Sequence, residues 1–320
     1  MFSHKQTIIE QFTRQAIPFT QINGHYDAID LLIQMAAPAA TDEMLDVACG
    51  PGIVACSFAR HCAHVTGLDV TPAMIAQAQK NQTDQEIANI TWQIGTCLPL
   101  PFANDAFSLV LTRYSFHHFL NPAEVLAEMI RVCRPGGKIL IADIALPPEK
   151  SQAFDAMEVI RDPSHVHALT TVEFARLISE AGLEYCHRTH YAVDIELEAQ
   201  IKASFPLPGN AERLRAMITA DIGIDRFGLG VERRNGQIRY TVPIEVYTGT
   251  KQFAEKNKRN LNKDDKQMLG RTELPGKGPL FPWPSNLDLL NHSDWAKNYF
   301  AFALLIQSHF ARQSTLWDRI

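Results

Sequence analysis

The chain has no uninterrupted apolar stretch close to the roughly 20 residues that a membrane-spanning helix requires. Its first residues, 1–6, open an amphipathic stretch and lack the continuous apolar centre of a signal peptide. Charge of one sign is not in large excess either, because the formal net charge of -5 gives no overall attraction to nucleic acid or to an anionic membrane. These absences predict a protein of 320 residues with no transmembrane segment and no nucleic-acid partner.

Cysteine is scarce, and no two cysteines form a Cys-x-x-Cys pair. In a chain of this length the pattern favours reduced thiols and a cytoplasmic location. The segment His61-Cys62-Ala63-His64 has the residue types of a metal site, but it should lie between a helix and a strand, without further ligands nearby. A packed or solvated surface is the simpler interpretation, so we expect no metal. The six cysteines are Cys49, Cys56, Cys62, Cys97, Cys133 and Cys186.

Short apolar segments alternate with amphipathic ones through the first half of the chain. The segments 44–48, 64–70, 90–94, 107–112 and 138–143 predict strands, and 183–192 and 238–247 predict two more. Strands that alternate with helices at this spacing indicate βαβ crossovers. We therefore predict an α/β fold with a doubly wound, mainly parallel, seven-stranded Rossmann-like sheet. Ligands bind such a sheet at the carboxyl ends of its strands.

The domain organisation follows from where this alternation of strands and helices begins and ends. We expect one α/β domain over residues 1–251, with a helical N-terminus over 1–40 and a helical insertion over 193–237. The insertion covers a substrate or is packing decoration. Residues 252–320 should form a basic linker containing Pro and Gly, then an apolar, aromatic helix over 295–317. That helix would dock on the domain or on a second subunit of a homodimer.

A glycine-rich turn follows the first predicted strand. Residues 50–55 satisfy the G-x-G-x-x-G/A pattern, which is compatible with a nicotinamide dinucleotide. Asp46, inside the end of that strand, would repel a pyrophosphate in a low-dielectric cleft. S-adenosylmethionine carries no phosphate; it presents an ammonium, a carboxylate and a sulfonium. Asp46 can face the ammonium while the amides of the turn take the carboxylate, so the sequence favours S-adenosylmethionine.

The next strand ends supply the remaining candidate contacts. Asp69 is placed to accept both ribose hydroxyls, as either cofactor would require. The loop that contains Thr96 and Cys97 should close over the adenine, and Arg113 should approach the methionine end.

These motifs together make the chain resemble the class I S-adenosylmethionine-dependent methyltransferases. The nearest subgroup is similar to the ubiquinone and menaquinone C-methyltransferases, with a methyltransferase type 11 domain, and the resemblance runs from about residue 4 to residue 251. The motifs are Leu45-Asp46-Val47-Ala48-Cys49-Gly50-Pro51-Gly52, Gly67-Leu68-Asp69-Val70-Thr71-Pro72-Ala73-Met74, Leu100-Pro101-Phe102, His117-His118-Phe119 and Arg131-Val132-Cys133-Arg134-Pro135-Gly136-Gly137.

The resemblance implies a complete set of cofactor contacts. Asp46, Ala48, Gly50 and Gly52 would line the methionine portion, Asp69 the ribose, Met74, Thr96 and Cys97 the adenine, and Arg113 the methionine end, with Val70 as a further cofactor contact. The sequence departs from the family where Thr96 stands in place of an acidic residue or an amide. It also departs where Ser108 replaces a common Asp, at a position that looks structural.

Catalytic residues are harder to name, because methyl transfer mainly requires alignment and exclusion of water. A general base is needed only when the acceptor must lose a proton. His117 follows the fourth strand and is one candidate for such a base. His118 is more typical of a backbone contact. His165 is a second candidate, either as a base or as a substrate contact.

The sequence thus predicts transfer of a methyl group to a small-molecule acceptor. The resemblance suggests a quinone or phenol ring, although the residues leave other phenols, carboxylates and amines open. Two alternatives remain: an NAD-dependent oxidoreductase, and a non-catalytic adenosyl-binding scaffold that dimerises through its C-terminal helix.

Overall fold

The computed structural model of the protein describes residues 3–20 and 26–253. The predicted C-terminal helix, and nearly all of the predicted linker, lie outside these residues. None of the described helices combines the length and the apolar character needed to cross a membrane.

The sheet has the predicted doubly wound topology. Its order is β3-β2-β1-β4-β5-β8-β6, and a short eighth strand, β7, pairs with β8. The first five strands are parallel, whereas β8 runs antiparallel to both β5 and β6. The strands are β1 Glu43–Val47, β2 His64–Asp69, β3 Ile90–Ile94, β4 Phe107–Arg113, β5 Cys133–Ile144, β6 Glu184–Glu196, β7 Glu232–Arg234 and β8 Gln237–Thr250.

Helices cover both faces of the sheet. Met44 and Leu45 are neighbours on β1 and fully buried, yet they belong to two different apolar clusters, because successive side chains of a strand point to opposite faces. The helices are α1 His4–Phe19, α2 Ile29–Ala36, α3 Ile53–Phe58, α4 Pro72–Asp84, α5 Pro122–Val132, α6 Pro148–Arg161, α7 Thr171–Glu180, α8 Leu197–Ser204 and α9 Asn210–Thr219.

Local chemistry explains several helix starts. Pro72 and Pro122 occupy the first turns of α4 and α5, where the missing N–H costs nothing. A capping box begins α7: the Thr170 hydroxyl accepts from the Glu173 amide, and the Glu173 carboxylate accepts from the Thr170 amide. Pro18 does not break α1, because it lies in the last turn and the helix ends one residue later.

The structure differs from the sequence expectations at several elements. The strand expected over 183–192 continues to Glu196, and the one expected over 238–247 continues to Thr250, since the two pair along almost their whole length. The region expected as a helical insertion contains α8 and α9 but also the short hairpin strand β7. Helix α6 was not predicted, although Phe154, Met157 and Ile160 recur at helical spacing and are buried.

Candidate active site

A cavity of about 490 Å³ opens at the carboxyl ends of β1, β2 and β4, and we call it the larger cavity. Nine of the ten predicted cofactor contacts line it: Asp46, Ala48, Gly50, Asp69, Val70, Met74, Thr96, Cys97 and Arg113. Helix α1 contributes part of the opposite wall with Ile8, Phe12 and Phe19. The sheet therefore gathers the predicted residues at one place, as parallel topology requires.

The glycine-rich turn is fastened to the end of β2 by Asp69. The amide of Gly50 donates to Asp69 Oδ2 at 2.9 Å, and the amide of Thr71 donates to Asp69 Oδ1 at 2.8 Å. Burial raises the pKa of Asp69, and these amide bonds act in the opposite direction. Each carboxylate oxygen has a further lone pair, so the group can still accept hydroxyls from a ligand.

Gly52 is the predicted contact that does not line the larger cavity. It has a φ of +78°, and a Cβ added there would lie 2.5 Å from the Trp92 ring and 2.9 Å from Ala78 Cβ. The position therefore requires glycine for close packing of the turn against Trp92 and α4.

Asp46 is the most unusual group in the larger cavity. Its side chain belongs to a residue only 2% exposed, and Oδ2 is a buried oxygen without a hydrogen-bond partner among the described residues. Burial raises its pKa to about 8; the nearby Asp69 charge also raises it, while Arg113 lowers it. A buried carboxylate in this state favours a cation beside it. The residues present therefore fit a ligand that carries an ammonium or sulfonium group.

The lining of the larger cavity also includes Met74, Thr96 and Cys97. The Thr96 hydroxyl donates to the Pro99 carbonyl at 3.5 Å, so its oxygen lone pairs remain as acceptors. Burial raises the pKa of Cys97 to about 12, which keeps its thiol protonated. This region is suited to a flat group with an N–H donor at its edge.

A cation and two phenols cross-link the end of β4 to β6. Arg113 donates to the Tyr114 hydroxyl at 2.7 Å, to the Tyr191 hydroxyl at 3.1 Å and to the Asp27 carbonyl at 2.8 Å. Tyr114 has a φ of +56°, which is a strained conformation for a bulky residue. Tyr191, on β6, was not predicted, because only the folded sheet brings it to this place.

A smaller cavity of about 100 Å³ lies beside the larger one. Four side chains line both cavities and form a shared wall: Phe12, Phe19, Tyr114 and His118. The smaller cavity is further lined by α6 (Glu158, Arg161), by α8 (Gln200, Ala203, Ser204) and by β8 (Tyr240, Val242). It is therefore built from segments that are distant in sequence.

His118 is held in one tautomer. Its Nδ1 lies 3.0 Å from the Ser164 carbonyl oxygen, which can only accept, so the proton is on Nδ1 and Nε2 carries a lone pair. Burial and the neighbouring His117 lower the pKa of His118 to about 3, so the ring is neutral. The expected backbone contact is present, and the residue also lines both cavities.

His117 and His165 have different surroundings. His117 lines the smaller cavity, and its Nδ1 lies 2.6 Å from Asp143 Oδ1. Burial lowers the pKa of His117, but the Asp143 carboxylate outweighs it, so the net pKa is raised. His165 lines neither cavity; its Nε2 lies 2.7 Å from Asp155 Oδ1, and its ring centroid is 5.7 Å from that of His117.

Sequence reasoning missed the polar residues that α6 and α8 bring to the smaller cavity. Arg161 donates through Nε to Glu158 at 2.8 Å and through Nη1 to the Ser204 hydroxyl at 2.7 Å. The Gln200 Oε1 atom is a buried oxygen without a hydrogen-bond partner among the described residues. Within residues 3–20 and 26–253, no group of His, Cys, Asp and Glu side chains is arranged to hold a metal ion.

The comparisons with known proteins find methyltransferases. Residues 45–141 match the sequence profile of a family described as the methyltransferase domain. The chain is 26% identical over 230 residues to YcgJ of Bacillus subtilis, an uncharacterized methyltransferase, covering 70% of this chain and 90% of that protein. It is 32% identical over 155 residues to the ubiquinone/menaquinone biosynthesis C-methyltransferase UbiE of Dinoroseobacter shibae, covering 43% of this chain and 62% of UbiE.

Solved structures support the fold. The YcgJ crystal structure superposes with a TM-score of 0.65 at 22% identity, over 71% of this chain and 99% of YcgJ. A Bacillus halodurans protein described as a candidate methyltransferase superposes with a TM-score of 0.61 at 25% identity, over 70% of this chain and 99% of that protein. The chain spans less than two thirds of the UbiE relative, so what that enzyme acts on is a property of that enzyme.

Proposed function

We propose that this chain, in which residues 45–141 form an S-adenosylmethionine-dependent methyltransferase domain, transfers a methyl group to a small ring-shaped acceptor beside the shared wall. The observation that carries the proposal is Asp46, which lines the larger cavity and has a buried oxygen with no hydrogen-bond partner within residues 3–20 and 26–253. A phosphate-bearing cofactor would oppose the ionisation of Asp46, whereas the positive charge of S-adenosylmethionine would favour it.

The chain's own groups account for cofactor binding. Asp46 would hold the ammonium end, and Asp69 would accept the ribose hydroxyls through the lone pairs that Gly50 and Thr71 leave available. Met74, Thr96 and Cys97 would enclose the adenine. When bound, S-adenosylmethionine supplies an electrophilic methyl group on its sulfonium.

The shared wall accounts for positioning of the acceptor. Phe12 and Phe19 exclude water, and the neutral His118 offers an acceptor nitrogen to a hydroxyl of the acceptor. His117, paired with Asp143, lies in the wall of the smaller cavity and would take up a proton that the acceptor releases. A quinone or phenol ring fits these aromatic surroundings, and the resemblance to the ubiquinone/menaquinone biosynthesis C-methyltransferases UbiE supports that choice.

Calorimetry and turnover test the proposal together. S-adenosylmethionine and S-adenosylhomocysteine should bind the full chain, and NAD should not. Labelled cofactor, incubated with a panel of phenols and hydroquinones, should then give labelled product. Binding of NAD alone would refute the proposal, and cofactor binding without turnover on any ring acceptor would favour a scaffold.

Three broader proposals accompany this one. We propose that the α/β domain spans residues 1–251, with residues 252–320 as an extension whose C-terminal helix joins two subunits. We propose a cytoplasmic location, which is supported by six cysteines that are all free. Size-exclusion chromatography with light scattering would detect the homodimer directly.

A further inference from the structure

The segment of residues 164–170, which we call the supporting segment, contacts both histidines of the proposed acceptor site. Its main-chain amides at Val166 and His167 donate to the His117 carbonyl at 2.9 and 3.2 Å. One of its main-chain carbonyls accepts from His118 Nδ1 at 3.0 Å. The positions of His117 and His118 therefore depend on how firmly the supporting segment is held.

Two carboxylates from different helices hold the supporting segment. Asp155, on α6, accepts from three of its groups: His165 Nε2 at 2.7 Å, His167 Nδ1 at 2.7 Å and the Ala168 amide at 2.9 Å. Glu173, on α7, accepts from His167 Nε2 at 3.0 Å, and from the amide and the hydroxyl of the residue that caps α7 at 2.8 and 2.9 Å. Within the supporting segment, His167 is the residue whose side chain contacts both carboxylates.

Both ring nitrogens of His167 carry a proton. Burial raises the pKa of Asp155, but its hydrogen bonds outweigh burial and the net pKa is lowered. The Thr170 amide lowers the pKa of Glu173. Both carboxylates are therefore ionised near neutral pH and can only accept, so Nδ1 and Nε2 of His167 must both donate and the ring is an imidazolium. Burial lowers the pKa of His167, but the hydrogen bonds to Asp155 and Glu173 outweigh it and the net pKa is raised.

The titratable groups that face the His167 ring come from three elements. Asp155 belongs to α6 and Glu173 to α7, while His165, on the supporting segment itself, binds the same Asp155 carboxylate. In a neutral His167, one ring nitrogen would present a lone pair to a carboxylate oxygen, and that contact would become repulsive. The ring would then bind α6 or α7, but not both.

We propose that the imidazolium of His167 is a positioning group for His117 and His118, because it joins α6 to α7 and so keeps the supporting segment in place against both histidines. Loss of its proton loosens the segment, and the two histidines lose their support as the pH rises. This proposal rests on the proposed function, which gives His117 and His118 their role at the acceptor. The contacts of His167 belong to the chain without any ligand.

NMR titration of the full chain, without ligands, follows two signals. The Cε1–H resonance of His167, assigned by its absence in His167→Gln, should titrate above about pH 6.5, the ordinary value for histidine. The proton between His117 Nδ1 and Asp143 Oδ1, which are 2.6 Å apart, should give a separate downfield resonance. That resonance should change over the same pH interval in which His167 titrates. A role of His167 in packing alone predicts no such coincidence.

The decisive variant is Glu173→Gln, which removes one negative charge and keeps a side-chain oxygen as an acceptor for the cap of α7. The titration midpoint of His167 should fall, and the change in the His117–Asp143 proton should move by the same number of pH units. Glu180→Gln is the matched control, because Glu180 is exposed on the same helix. It should leave both midpoints unchanged. S-adenosylhomocysteine titration of both variants shows whether the larger cavity is intact.

Urea denaturation gives an independent measurement. The unmodified protein should be more stable than His167→Gln, and the difference should be largest below about pH 6.5. It should shrink as the pH rises through the raised pKa of His167, because a group whose pKa is raised on folding stabilises the protein in its protonated form. The ionisation of Asp46 occurs in both proteins and cancels from this difference.

The outcomes separate this proposal from the proposed function. Titration of His167 at or below about pH 6.5 overturns the positioning proposal while cofactor binding still stands. So does a shift of the His167 midpoint in Glu173→Gln that the His117–Asp143 proton does not follow. Failure of S-adenosylhomocysteine to bind the unmodified protein overturns the proposed function, and the titrations, which use no ligand, still decide the role of His167.

Discussion

Replacement of Asp46 by asparagine should make the ligand-free protein more stable and the cofactor complex weaker. The side chain keeps its shape, but a buried group with a pKa of about 8 loses its ability to ionise. Between about pH 5 and pH 8 the folded state of the unmodified protein binds a proton at Asp46 that the unfolded state does not. The free energy of unfolding therefore falls by about 1.4 kcal/mol per pH unit in that window.

The magnitude follows from this slope. From pH 5 to pH 7 the unmodified protein should lose about 2–3 kcal/mol of stability that Asp46→Asn retains. The difference in stability between the two proteins should stop growing above about pH 8, because Asp46 is then ionised in both the folded and the unfolded state. Urea denaturation at half-unit pH steps measures it. Asp84→Asn serves as the control because Asp84 is exposed at the end of α4.

The affinity for the cofactor should show the opposite dependence on pH and rise as the pH rises. The cation of the cofactor requires ionised Asp46, so below pH 7 affinity should rise nearly tenfold per pH unit, with release of close to one proton on binding. Calorimetry in two buffers of different ionisation enthalpy counts that proton. If the unmodified protein and Asp46→Asn differ neither in the dependence of stability on pH nor in proton release on cofactor binding, Asp46 is already ionised in the free protein and the argument fails.

Three further predictions concern the turn, the ribose contact and the tail. Gly52→Ala should lower the free energy of unfolding by about 2–4 kcal/mol, and the control Gly209→Ala by about 1 kcal/mol. Both glycines have a positive φ, but only at Gly52 would the added Cβ meet the Trp92 ring. Equal losses in urea denaturation would refute the packing role of Gly52. Asp69→Ala should lose about 1.5–3 kcal/mol of cofactor affinity by calorimetry, and unchanged affinity would place the ribose elsewhere. Deletion of residues 252–320 should leave S-adenosylhomocysteine binding intact, and a collapse of folding would show that the tail belongs to the domain core.

The sequence predicted the parts of the fold that are determined by short stretches of neighbouring residues. Short apolar runs and the glycine turn after β1 gave the parallel half of the sheet, and the positions of Asp46, Asp69 and Arg113 followed from strand ends. Gly52 shows the limit of motif reasoning, since a glycine needed for contact with a ligand and one needed for contact with Trp92 look the same in sequence.

The smaller cavity could not be predicted, for a physical reason. Its lining residues belong to α1, α6, α8 and the antiparallel strands. Along the sequence, the first and last of these elements are nearly the whole length of the domain apart. Gln200 is one glutamine on an ordinary amphipathic helix until folding buries its oxygen, which has no partner in the part of the chain that the structure describes. His165 resembles a catalytic base in sequence, and folding places it against Asp155 and beside His117, although it lines neither cavity itself.

The shared wall links the two binding events thermodynamically. Phe12, Phe19, Tyr114 and His118 each contact the space on both sides, so a ring beside this wall restricts the same side chains that enclose the cofactor. If a bound ring increases the affinity for the cofactor by some factor, bound cofactor must increase the affinity for the ring by the same factor. A molecule that joins an adenosyl group to a phenol would contact both sides of this wall at once, and its affinity would exceed that of either half.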